Sequence, residues 1–261
     1  MADDTKPSIS WYKRITVYHY MIAFLAFLGV FYIFSSRRFE LSYQLVLSPL
    51  IAALAETAIA KFNGKEIRFP DSAVIYGLFA ALIMTSLYFA LAATAAAVLL
   101  KNILRIKDKH IFNPAASGIV VVSLLAGLLG FTNTSPAEWW GATSFLVIPL
   151  GLFVAWKIRR LEVSVSLLAV YFSLTLLTTF LSGTAFSIYS IYDVGVFFFA
   201  LFMAVEPRTS PANRNGKLVF GILLALLMFA GRFIPLQGIT VDWFLVSLVI
   251  ANALRMPLEK I

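Results

Sequence analysis

The stretch SAVIYGLFAALIMTSLYFALAATAAAVLLKNILRI, residues Ser72–Ile106, decides how this chain folds. One membrane crossing takes about 20 apolar residues, and this run is too long for one helix. It has no strong turn signal, only Thr85-Ser86 near its middle. The reading adopted is a short or broken helix, 72–86, followed by a full span, 87–106. The loop charges decide in its favour. With this break and an inside N-terminus, only Arg37, Arg38 and Arg232 of the 21 Lys and Arg residues fall on the outer side. Reading 72–106 as a single crossing inverts every later loop and destroys that asymmetry, which is what orients helices in a membrane.

Working outward, the apolar segments are 15–34, 41–60, 72–86, 87–106, 113–131, 143–156, 162–182, 189–205, 217–232 and 239–254. The expected fold is an all-α polytopic membrane protein of ten segments, with both termini cytoplasmic, in the cell (inner) membrane. Composition agrees. Of the 261 residues 61% are hydrophobic and 13% charged, against about 45–50% and about 25% in soluble domains. The mean hydropathy is +0.88. The first residues, MADDTKPSISWYKR, lack a small-residue cleavage site and read as the flank of a first membrane anchor.

The net charge of +8 sits in short loops between apolar runs, so it orients helices in the lipid bilayer and does not signal a nucleic-acid partner. The chain has no cysteine, which excludes disulfides, thiolate zinc and an iron–sulfur cluster bound by this chain. Its two histidines, His19 in the first span and His110 in a loop, do not suit a bis-histidine haem. His19 reads as a hydrogen-bonded core residue.

Segments 72–86, 143–156, 189–205 and 217–232 are short, as half-helices that end inside a bilayer are. Ten segments divide into five and five. The third and eighth run in opposite directions, and each opens with an aspartate, Asp71 and Asp193. A single transmembrane domain over 1–261 with inverted-repeat halves, 15–131 and 143–254, is the expected organisation.

Two places combine proline, small residues and polar side chains at a membrane boundary. They are His110-Ile-Phe-Asn113-Pro114-Ala115-Ala116-Ser-Gly118 and Glu206-Pro207-Arg208-Thr209-Ser210-Pro211-Ala212-Asn213. Both can be well-made helix starts, with Asn113 or Ser210 as cap. Both can equally aim free N–H groups at an anionic or carbonyl-rich ligand. Asp71 and Asp193 are helix caps or snorkelling groups, and Glu206 is the costliest acid if buried. With Arg208 and Lys217 as its local partners, an ion path and a structural ion pair both remain open. Trp139-Trp140-Gly141-Ala142-Thr143-Ser144 reads as an interfacial belt before a helix that Thr143 or Ser144 caps.

The segments HIFNPAASG, DSAVIYGLFAALIM and FFFALFMAVEPRTSPANRNGKLVFGILLALL resemble the RnfD/NqrB family. Its members are membrane components of the Rnf electron-transport complex and of the sodium-pumping NADH:quinone oxidoreductase. The resemblance runs from about Phe69 to the C-terminus, and Met203–Lys217 is its most specific part. It implies a ten-helix, inverted-repeat protein that holds flavin, FMN or riboflavin, and passes electrons with coupled sodium or proton movement. It also implies partner subunits carrying iron–sulfur clusters, flavin or a nicotinamide site. By the same resemblance Asn113, Pro114, Ala115, Thr209, Ser210 and Pro211 would line a flavin site. Gly141-Ala142-Thr143 matches the end of the family's outer flavin-attachment motif, with Thr143 as the residue esterified. Ala137 and Trp140 stand where that motif has an acid and a hydroxyl residue, and the large outer insertion is missing.

The leading expectation is a flavin-dependent membrane subunit for transmembrane electron transfer. A small-solute or riboflavin transporter and a cofactor-free scaffold for a redox complex are the other readings of a broken-helix bundle.

Overall fold

The computed structural model describes residues 15–106, 109–131, 144–183, 194–234 and 241–260. Four helices are long and apolar enough to cross a membrane: α1 (Val17–Ser36), α2 (Leu41–Phe62), α7 (Leu161–Leu181) and α9 (Arg214–Gly231). Shorter apolar helices complete the bundle: α3 (Asp71–Ile83), α4 (Leu87–Ile103), α5 (Pro114–Leu128), α6 (Ser144–Lys157), α8 (Val194–Phe198, continued by a π-helical turn Phe199–Met203) and α10 (Trp243–Ala253). A four-residue helix, α11 (Arg255–Leu258), follows. The described sheet is a two-stranded hairpin that joins α4 to α5, β1 (Arg105–Ile106) and β2 (Lys109–His110), in which Arg105 faces His110. The apolar segment 87–106 runs through β1 and gives no sign of it.

The break that decides the fold lies where the sequence put it. Met84 and Ser86 are extended, and the Ser86 hydroxyl caps α4 by accepting from Phe89 N–H at 3.4 Å. A helix that stops inside a bilayer leaves carbonyls with no partner. Here Gln44 of α2, 4% exposed, donates to Ala81 O at 2.7 Å and Met84 O at 3.3 Å. The eighth segment solves the same problem differently. Its π-turn closes with Ala204 N–H on Phe199 O, and the Ala200 carbonyl accepts from Ser164 of α7 at 2.7 Å.

The two interrupted segments are also the centre of the molecule. Nearly every residue of α3 from Ala73 to Ile83 is buried, as is Phe198–Val205. The α3 ring of Phe79 meets Phe198 edge-on at 5.8 Å. At about 1.5 Å rise per residue, α3's 13 residues cover about two-thirds of a hydrocarbon core of about 30 Å. Protein surrounds them instead of lipid. Around them α2 packs on α3 and α4, α1 on α2 and α3, and α4 on α5; likewise α7 packs on the π-turn and α9, α6 on α7 and α8, and α9 on α10. Further contacts join α1 to α6 and α5 to α10.

Small residues allow this. At Gly118 an added Cβ would lie 2.4 Å from Ala93 O, so α5 meets α4 backbone to backbone. The outside is apolar, with Phe34, Val46, Leu54, Leu99, Leu125 and Phe180 all exposed, as a bilayer-facing surface requires. His19 is not in the core. It is exposed and closes a capping box with Thr16 at the start of α1, its Nδ1 2.7 Å from Thr16 Oγ1.

Gln44→Leu keeps volume but strands two buried carbonyls, and is expected to destabilise the bundle by about 1–3 kcal/mol. Leu125→Ala on the outer face is expected to cost less. Thermal unfolding in detergent compares the two.

Candidate functional site

The start of α5 is built by its own sequence. Asn113 caps the helix by accepting from Ala116 N–H at 3.0 Å, with Pro114 in the first turn, where no N–H is needed. The Asn113 N–H donates to Asn252 Oδ1 of α10 at 2.8 Å, and Asn252 Nδ2 donates to Thr209 O at 3.0 Å. One buried amide thus ties the Asn-Pro-Ala start to the Thr-Ser-Pro turn. Within that turn Thr209 Oγ1 donates to Glu206 Oε2 at 3.0 Å, and Ser210 Oγ donates to Glu206 O at 2.8 Å. Asn113, Thr209, Ser210 and Asn252 are each 3% exposed or less, and Pro114, Ala115 and Pro211 are buried beside them.

Cations hold the turn from outside. Arg160, just before α7, donates to Ala212 O at 3.3 Å and Pro207 O at 3.4 Å, while Arg255 donates to Arg208 O. Burial, and then the nearby charge of Arg255, pull the Arg160 guanidinium below its ordinary range. Asn213, not Ser210, caps α9, accepting from Gly216 N–H at 3.1 Å.

The acidic residues separate. Glu206 lies 3.4 Å from the buried His110 Nε2, so its partners are His110 and Thr209. Lys217 turns away, donating to Arg159 O at 2.8 Å and to Glu162 at 3.4 Å. Arg208 is exposed. Asp71 opens α3 with Oδ1 3.8 Å from His19 Nε2. Asp193 and Thr143 lie outside the described residues.

Two cavities flank this network. One, of about 20 Å³, lies among Tyr18, Ser72, Tyr76, Asn113, Pro114 and Glu206. The other is a cleft of about 250 Å³ lined by Ile106, Lys109, His110, Asn252, Arg255 and Glu259. The pairs Asn113–Asn252 and Glu206–His110 each place one member on either cavity, and so form the wall between them.

Residues 123–260 match the family described as NQR2, RnfD, RnfE. The chain belongs to that family. No curated protein matches it. The NQR2, RnfD, RnfE match contains the whole of Met203–Lys217 and Asn252, whereas Asn113 and Asp71 precede it. Among the described residues no group of three or more His, Asp or Glu is placed to hold a metal ion.

The flavin suggested by the family resemblance does not fit between Asn113–Ala115 and Thr209–Pro211 in this arrangement. Ligand sites run to about 300–1,000 Å³, while about 20 Å³ holds little more than one water. The donors and acceptors of the two segments already serve one another through Asn252.

The structure also reveals a polar cluster that the sequence reading missed. Glu56 of α2, Tyr76 of α3, and Lys101 and Asn102 of α4 converge beside the smaller cavity. Lys101 counts among the inner-side basic residues by sequence, but it is buried inside the bundle, 7% exposed. The signal was a charge within each of two apolar runs.

The chain's lack of cysteine allows single thiols to report on the wall. Ser72→Cys is expected to react slowly with a small cationic thiol reagent. With Asn252→Ala added, the wall loses hydrogen bonds that contribute about 1–3 kcal/mol. Labelling should then accelerate about tenfold, the rate equivalent of about 1.4 kcal/mol.

Proposed function

We propose that this chain is the membrane subunit of an electron-transport complex, crossing the cell membrane ten times with both ends cytoplasmic. Membership of the NQR2, RnfD, RnfE family is the observation that carries this reading. The apolar helices agree with it, and so does the placement of all but three basic residues on one side of a ten-segment topology. Most helix pairings within α1–α5 recur within α6–α10, which supports two halves of inverted orientation, 15–131 and 143–254.

In this reading electrons are delivered by partner subunits with iron–sulfur, flavin or nicotinamide sites, and this chain supplies the membrane frame and the ion-coupled step. Its interior suits that role, because acids and bases are enclosed by protein at membrane depth, where ionisable groups mark ion or proton routes. Glu206 and Asp71 lie beside this interior, Arg208 is exposed at its edge, and Lys217 has a structural role against Glu162. The closed wall at Asn113 and Thr209 seats no flavin. A flavin carried by this chain belongs on the outer side, at Thr143.

Removing the chain from its host is expected to abolish reductant-driven electron transfer in membrane vesicles, and restoring it to recover the activity. Solute flux through the purified chain in liposomes, with electron transfer intact in its absence, would replace this reading with that of a transporter.

For the flavin, the protein should be produced with a flavin-transferring enzyme. Any flavin it retains is expected to be covalent and to disappear in Thr143→Ala, as intact mass and absorbance read it. Flavin released by denaturing Thr143→Ala would show that the inner wall does admit the ring.

A further inference from the structure

We infer that Glu56, Tyr76 and Lys101 form a proton-exchange site inside the bundle, reached from the 250 Å³ cleft through His110 and Glu206. This deepens the ion-coupled step proposed above and rests on it for its purpose, although the site itself belongs to this chain alone.

Three donors from two helices converge on one oxygen. Lys101 Nζ lies 3.0 Å from Glu56 Oε1, the Tyr76 hydroxyl donates to it at 3.0 Å, and Asn102 Nδ2 donates to it at 3.3 Å. The ammonium also donates to Ser72 Oγ at 3.3 Å and lies 5.2 Å from the centre of the Tyr76 ring. The side chains of Lys101 and Glu56 are only 7% and 14% exposed. A surface ion pair has little consequence, but a buried one carries a large desolvation cost that hydrophobic packing would avoid.

The cluster does not end blindly. Ser72 and Tyr76 line the 20 Å³ cavity, and Glu206 stands on its far side. A cavity of that size, with hydroxyl and carboxylate walls, has room and partners for a water. Glu206 in turn meets His110, which faces the larger cleft. His110 is 3% exposed, and its Nε2 has no hydrogen-bond partner among the described residues. The sequence of groups is therefore cleft, imidazole, carboxylate, water-sized cavity, and then the Glu56–Tyr76–Lys101 cluster.

The built-in ammonium identifies the exchanged cation. A hard metal ion takes about six or more oxygen ligands, and here Lys101 already occupies the cation position against Glu56. What can still be added or removed is a proton. An imidazolium at His110 passes its proton to the Glu206 carboxylate and becomes neutral. Glu206 releases the proton to the cavity water as hydronium; hydronium gives a proton to the Tyr76 hydroxyl oxygen and returns to water, as that hydroxyl passes its own proton to the Glu56 carboxylate. No electron moves, and the reverse steps unload the site. The charged and titratable groups that face this route are Tyr18 from α1, Arg208 from the turn, Lys109 and Arg105 from the hairpin, and Arg255 and Glu259 beyond the cleft.

Infrared spectra of the purified, lipid-reconstituted chain test this without partner subunits. As pH falls in potassium buffer, a protonated-carboxyl band sensitive to deuterium is expected to grow beside those of the chain's other acids. It should be lost in Glu56→Gln and unchanged when sodium replaces potassium. Lys101→Met is expected to keep that band at neutral pH, because it removes the amine that lies 3.0 Å from the carboxylate. His110→Ala is expected to slow its deuterium exchange. A wild-type spectrum whose titrating carboxyl bands are the same as those of Glu56→Gln overturns the site. A band that sodium removes overturns the assignment to protons. Because no electron carrier is present, these outcomes are independent of whether the chain serves an electron-transport complex.

Discussion

In hydrocarbon every backbone donor and acceptor must find a partner within the protein, and the interrupted helices of this bundle exist only because a few buried amides and hydroxyls meet that demand. Gln44 serves the carbonyls at the end of α3, Ser164 serves the π-turn, and Asn252 joins the start of α5 to the turn after the π-segment. Each lies on a helix that does not itself break. Gln44 and Ser164 lie on two of the longest helices, α2 and α7, and Asn252 lies on the 11-residue α10, so long and short neighbours alike act as hydrogen-bond partners for the interrupted ones.

The same demand explains what the sequence made legible. Apolar runs bounded by charge mark helices, so each of the ten segments has a helical counterpart among the described residues, and the loop charges resolve the one ambiguous run at Thr85-Ser86. Proline after asparagine showed the α5 cap correctly. The α9 cap was misread because Ser210-Pro211 and Asn213 offer similar chemistry three residues apart. Only the fold shows that Ser210 is spent on the Glu206 carbonyl.

Partner choice was the part that could not be read. Glu206 lies eleven residues before Lys217 in sequence, yet Lys217 turns to Glu162 and Glu206 meets His110. Sequence proximity ranks candidate pairs by loop length, whereas a bundle ranks them by which helix faces meet. Glu56 and Lys101 were missed for the opposite reason. Each falls near the end of an apolar run, where a charge is ordinarily a snorkelling group, and only the packing of α2 against α4 makes them a buried pair.

Donors arranged to recognise a ring's carbonyls are costly when left unpaired in a dry interior, so they must have either a ligand or one another. In this chain Asn252 reaches both segments at once, with an oxygen for Asn113 and an amide for Thr209, and the recognition chemistry is used up in holding the halves together. The charges on either side of that closure are not used up in the same way. His110 Nε2 makes no hydrogen bond and faces the Glu206 carboxylate at 3.4 Å, and Glu206 faces a cavity with room for water. Titratable groups kept in line beside a water-sized cavity are what the proposed proton route is built from.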